Sequence, residues 1–112
     1  MPRKTPMRAG KFLADGHAIV ILRNSGQVIT HATVLDPSVQ VKTVDLGTLT
    51  FKIPQVQSIV FKNLPTYPTD VLRTVGGSEI NGEILNDPVR IDAADLGGAT
   101  TIAKAKLLSI VF

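Results

Sequence analysis

Val39-Gln40-Val41-Lys42-Thr43-Val44-Asp45-Leu46-Gly47-Thr48-Leu49-Thr50-Phe51-Lys52-Ile53-Pro54 alternates apolar and polar residues on both sides of a single turn signal. Val39, Val41 and Thr43 share one phase and Gln40 and Lys42 the other, the period of two expected of a half-buried strand. Asp45-Leu46-Gly47 reads as a turn, with Gly47 supplying a positive φ. Leu49, Phe51 and Ile53 then alternate with Thr50 and Lys52. Pro54 has no N–H to give to a ladder and ends the strand.

The same grammar extends in both directions. Upstream, Ile19-Val20-Ile21-Leu22 is bounded by Asn24-Ser25-Gly26, and Gln27 to Leu35 runs into Asp36-Pro37-Ser38. Downstream, Val56, Ile59 and Phe61 close the pattern. Residues 69–112 then repeat it. Ile21-Leu22-Arg23, Gly26, Asp36-Pro37, Asp45-Leu46-Gly47 and Ser58-Ile59-Val60-Phe61 return as Val71-Leu72-Arg73, Gly76, Asp87-Pro88, Asp95-Leu96-Gly97 and Ser109-Ile110-Val111-Phe112, at an offset of 50 or 51. Slips of one residue fall at turns, which tolerate insertion where ladders do not. Expected strands of the second copy are Asp70–Arg73, Glu79–Leu85, Val89–Ala93, Thr100–Ala103 and Leu107–Phe112. The third and fourth are weakened by Ala93, Ala94, Ala99, Ala103 and Ala105, and residues 103–108 are compatible with a helical turn.

These patterns predict an all-β protein of two tandem β-repeats with pseudo-twofold symmetry, folded as a small barrel or sandwich. The expected organisation is a basic N-terminal arm over 1–16, repeat 1 over 17–61, a linker over 62–68 and repeat 2 over 69–112. A repeat of this size buries too little apolar surface to stand alone, so the copies are expected to share a core. Whether they close one barrel or two is left open by the pattern. Pro65 and Pro68 make the linker extended and semi-rigid.

Charge is unevenly placed. Arg3, Lys4, Arg8 and Lys11 crowd the arm, whereas residues 12–112 carry eight Lys or Arg against nine Asp or Glu, so the formal +3 comes from the arm. A nucleic-acid-binding body usually has a basic face of its own. The arm is therefore read as a contact for a neighbouring subunit or an acidic partner, with nucleic acid as the alternative. The chain has no cysteine, which removes disulfides, thiolate chemistry and Cys-ligated zinc. No apolar run approaches the roughly 18 residues of a membrane span, so no membrane partner is expected. A cytoplasmic location, or one inside an assembled particle, follows as the expectation.

Candidate chemistry is sparse. His17 and His31 would need carboxylates to hold zinc, and a histidine on a strand face explains each more simply. Asp36-Pro37 and Asp87-Pro88 read as turns in which Asp accepts backbone N–H bonds and Pro fixes φ. Asp45 and Asp95, each before Leu-Gly, read as turn residues in the same way, and Asp92 and Asp95 have no further oxygen ligands at calcium-loop spacing. Gly76-Gly77 and Gly97-Gly98 precede no helix and no Gly-Lys-Ser/Thr. No serine lies in a nucleophile motif, and Phe51, Phe61 and Phe112 fall in core phase, leaving few rings for base stacking. No cofactor, metal or catalytic residue is assigned. Arg23 and Arg73, repeated before the first turn of each copy, are read either as anion contacts or as partners of a carboxylate in the same repeat.

The order of strands and glycine turns, carried by Ile21-Leu22-Arg23-Asn24-Ser25-Gly26, Val28-Ile29, Val39-Gln40-Val41, Leu46-Gly47-Thr48-Leu49, Ile53-Pro54 and Ile59, and by Ile80-Asn81-Gly82-Glu83-Ile84-Leu85, resembles Sm-like, SH3-like small β-barrels over most of each copy. The resemblance implies a small barrel and a habit of ring or edge-to-edge assembly. Neither copy carries the amphipathic helix that precedes the strands of Sm proteins, and no RNA-contacting loop residue of that family is matched. The expected function is a non-enzymatic structural subunit, such as a virion or shell component, that contacts neighbours through edge strands and the arm. The alternative is a nucleic-acid-binding Sm-like module, which would gather the arm, or Arg23, Arg73 and Arg90, on one face.

Overall fold

The computed structural model describes residues 17–112, so Arg3, Lys4, Arg8 and Lys11 and the arm expected over 1–16 lie outside the described residues. Ten strands follow in order: β1 (Ala18–Leu22), β2 (Val28–Val34), β3 (Ser38–Thr43), β4 (Gly47–Lys52), β5 (Val56–Val60), β6 (Asp70–Thr74), β7 (Glu79–Ile84), β8 (Val89–Ala93), β9 (Gly98–Ile102) and β10 (Leu107–Val111). The chain is all-β, with no α-helix among the described residues. β-branched residues in alternating phase explain why: they pack well on a pleated surface and are stiff at χ1 in a helix.

All ten strands join one curled antiparallel sheet in the order β4-β3-β7-β6-β5-β10-β1-β2-β8-β9. The connections between the two segments are made inside this sheet. β3 of the first segment pairs with β7 of the second through Val41 opposite Ile84. β8 of the second pairs with β2 of the first through Ile91 opposite Val34. At the centre Ile59 of β5 faces Ile110 of β10. Each hairpin β3–β4 and β8–β9 therefore leaves its own segment and adds to the other.

One hydrophobic cluster serves the whole sheet. Val20, Ala32, Val39, Val41, Ile59 and Phe61 from the first segment pack with Leu72, Ile84, Val89, Ile91, Leu107 and Ile110 from the second. Phe51 and Phe112 pack against it, so the three phenylalanines assigned to core phase do reach the core. Alternation is cleanest in β8, where Val89, Ile91 and Ala93 are buried and Arg90 and Asp92 are exposed. Burying a Leu or Phe side chain of this kind stabilises by about 1.5–3 kcal/mol.

The turns follow the sequence closely. Gly47 and Gly97 have φ of 71° and 84°, as the Asp-Leu-Gly signals require. Residues 103–108, compatible with a helical turn, contain a 3₁₀ turn at Lys104–Lys106 before β10. A matching 3₁₀ turn at Ile53–Gln55 precedes β5, and Pro54 fits it because the missing N–H falls in the first turn. In the linker, Asn63 and Tyr67 exchange two backbone hydrogen bonds of 2.8 Å, closing a tight loop rather than an extended spacer. The reason is local: a reciprocal backbone pair satisfies two donors that an extended linker would leave to water.

Candidate functional site

Two features of this sheet are candidates for function: its two edges, unpaired among the described residues, and a charged cluster beneath the linker. The edges are β4 and β9. β9, Gly98-Ala99-Thr100-Thr101-Ile102, carries no charge and no proline, and β4, Gly47-Thr48-Leu49-Thr50-Phe51-Lys52, carries only Lys52. Among the described residues, no backbone hydrogen bond reaches the outer side of either strand. Beside β9 lies an open groove of about 520 Å³, lined by Leu22, Ser25, Ile29, Leu96, Thr100 and Lys106 among others. The turn between β3 and β4 projects Val44, 99% exposed, and Leu46, 67% exposed.

The charged cluster centres on Asp70, the one buried charged side chain of the described residues. It opens β6 in the buried phase, so its carboxylate must find donors inside. Oδ1 accepts the N–H of Lys62 at 2.6 Å and Oδ2 that of Ile84 at 2.8 Å. The Lys104 ammonium donates to Oδ2 at 2.9 Å and to the Ile84 carbonyl at 2.8 Å. The backbone N–H of Lys104 donates to Asp87 Oδ1 at 2.9 Å, so the 3₁₀ turn is held at both ends of this residue.

Arg23 approaches from the other side. Its Nε donates to the Ala105 carbonyl at 3.2 Å, and its Nη2 to the carbonyls of Leu107, at 3.0 Å, and of Lys62. Its backbone N–H donates to Lys106. Arg23 thus ties the β1–β2 turn to the segment entering β10. Among the described residues it meets no carboxylate. Arg73 is placed differently, inside β6, where its guanidinium pairs with Glu79 at 3.2 Å in an exposed position. Arg90 lies 3.9 Å from Asp36. The three arginines therefore each have separate partners, and no contact joins them.

The histidines are brought together, with ring centroids 5.3 Å apart and edge-to-face. No group of three metal-ligating side chains forms among the described residues. His31 is exposed, with φ of 56°. It sits where the β1–β2 register slips, since Val20 faces Ile29 but Ala18 faces Ala32. The residue corresponding in pairing to Gly82 is therefore Ala32, and His31 belongs to the inserted position. Both Asp-Pro aspartates accept backbone N–H groups, Asp36 from Arg90 and Asp87 from Lys104. The sequence signal that points to the charged cluster is the carboxylate in Asp70-Val71-Leu72, where the apolar phase of a strand demands a buried partner.

Compared with family models, curated proteins and solved structures, the chain has no significant match.

Proposed function

We propose that this protein is a non-enzymatic structural subunit that joins its neighbours through β4 and β9. The observation that carries the reading is the pair of edges left unpaired among the described residues. Natural sheets usually protect an edge with lysines, proline, bulges or a covering loop. Here β9 has none of the residue guards and β4 has a single lysine at its end. A subunit with two such edges at opposite ends of one sheet extends an assembly beyond a dimer, into a ring, a filament or a shell. The groove beside β9 and the bare Val44–Leu46 tip enlarge the available contact.

The same reading includes a duplication. Exchanging β1–β5 with β6–β10 turns the strand order into its own reverse, which supports two tandem repeats about a pseudo-twofold axis between β5 and β10. It also supports an interlocked pair, because each repeat lends its β3–β4 or β8–β9 hairpin to the other. The edge-to-edge habit implied by the Sm-like resemblance agrees with this. The basic arm adds a further contact, and a particle shell is the setting in which both devices would be used.

Light scattering on the full-length chain tests the proposal. The expected result is a discrete oligomer free of nucleic acid whose mass falls when Thr101→Lys and Thr50→Lys place a charge on each edge. A monomer at all concentrations, or an oligomer indifferent to both substitutions, overturns it. A salt-sensitive peak carrying nucleic acid would instead favour the nucleic-acid-binding alternative.

A further inference from the structure

We infer that the cleft beside Arg23 binds a small oxyanion of the phosphate class. The cleft is open, measures about 340 Å³, and is lined by Arg23, Lys62, Asn63, Asp70 and Lys104 among others. Three cationic residues thus line the cleft with one carboxylate, and of the three only Lys104 pairs with it. That carboxylate already accepts three hydrogen bonds, so it has little capacity to satisfy the other two cations. Arg23 is held rigidly by carbonyls at Nε and Nη2. Carbonyls orient a guanidinium but do not neutralise it, and the Nη1 donors are left over. Lys62 is exposed, and neither it nor Arg23 pairs with a carboxylate among the described residues.

The fold supplies its own control. Ala18 faces Ala32 as Asp70 faces Gly82, so Ala18 stands at the place of Asp70. Ile53 opens the 3₁₀ turn before β5 as Lys104 opens the one before β10. The Val75 N–H donates to Gln55 where the Arg23 N–H donates to Lys106. The same framework is therefore built once from Ala18, Ile53 and Val75, and once from Asp70, Lys104 and Arg23. The architecture thus forms without these charges, so the fold alone does not demand that they gather around one cleft. A net excess of two positive charges, a planar fork and two ammonium groups suit a tetrahedral dianion better than a single carboxylate.

The test is titration of the full-length chain with inorganic phosphate at constant ionic strength, followed by amide NMR, with chloride as the control. Saturable shifts are expected at Lys62, Asn63 and Lys104. Lys62→Gln, which leaves every contact of the cluster intact, should weaken binding about tenfold, the scale of one charge-assisted hydrogen bond. Arg23→Lys should weaken it comparably while keeping the charge, because the fork is lost. Unchanged thermal unfolding of Lys62→Gln shows that its loss of binding is not a loss of fold. The absence of saturable shifts, equal shifts with chloride, or affinities of Lys62→Gln within about twofold of the parent overturn the inference.

Discussion

Residues 17–61 and 69–112 follow the same course of five strands with a 3₁₀ turn before the last, yet they solve three positions differently. Where β1 begins, the first segment buries Ala18 against Ala32, and the second buries Asp70 beside Gly82. At the edge, Leu49 opposite Val41 is half-buried, while Thr100 opposite Ile91 is exposed and lines a groove. At the tip, the first Asp-Leu-Gly leaves Leu46 67% exposed, and the second leaves Leu96 38% exposed at the end of a short 3₁₀ turn that reaches β2. Backbone pairing is thus tolerant of the side chains it carries. Framework and chemistry are separable in this molecule.

The largest expected effect breaks the first of these differences. Asp70→Ala removes the acceptor of three hydrogen bonds and strands the Lys104 ammonium and the N–H groups of Lys62 and Ile84. Breaking a buried pair from one side costs about 3–5 kcal/mol, measurable by urea unfolding. Adding Lys104→Ile recreates the Ala18–Ile53 arrangement and should restore about 2 kcal/mol or more, since apolar replacements of buried pairs are often tolerated. A double variant no more stable than the single one would mean that the two segments are not equivalent here.

Gly82→Ala comes next. A Cβ at this position would lie 2.5 Å from the Lys42 carbonyl oxygen and 2.9 Å from Val41 Cγ1. The β7–β3 crossing is therefore closer than a methyl group allows, and the substitution should cost about 1–3 kcal/mol. The counterpart crossing already accommodates Ala32, so Ala32→Gly should cost only about 1 kcal/mol. Equal losses at both positions would erase the contrast.

The extent to which the sequence anticipates these features follows from their physics. Alternation in Val39–Lys52 and Val89–Ala93 reports burial on one face, so strand positions, turn glycines and the core phenylalanines are legible. Which strands pair across the two segments is not, because β3 would satisfy its ladder equally well beside β2 or β7. The repeated Arg23 and Arg73 look equivalent in sequence, but Arg23 lies beyond β1 and grips carbonyls, while Arg73 lies inside β6 and pairs with Glu79. The slip at His31 shifts the correspondence, burying Ile29 and Ala32 three residues apart, and the weak apolar contrast of Thr30-His31-Ala32-Thr33 hides that change of phase. Asp70, read in the sequence only as the first residue of a strand, stands out once β6 buries it, and Lys104 as its partner emerges only from the fold.

Glycine at the tips gives a smaller, symmetric effect. Gly47 and Gly97 both have positive φ with open space where a Cβ would be, so Gly→Ala at either position should cost about 1–2 kcal/mol from backbone strain alone. Unequal costs, measured by thermal unfolding, would show that the 3₁₀ turn before Gly97 changes the strain at its end.

The smallest effect separates the tips themselves. Leu46→Ser removes an apolar side chain that is 67% exposed, and surface substitutions of this kind stay within about 0.5 kcal/mol. Leu96→Ser removes one that is 38% exposed and lines the groove beside β9, so a loss nearer 1 kcal/mol is expected from the apolar area it covers. Measured on dilute chain, this asymmetry reports the isolated fold. Measured again at concentrations where the chain associates, it becomes a probe of the edges. If neighbours cover the β3–β4 tip, Leu46→Ser begins to cost stability only in the associated state, because only there does Leu46 leave water. A cost that appears at both concentrations would mean that the tip is packed within its own chain, and the contrast between an open tip and a closed one would not survive.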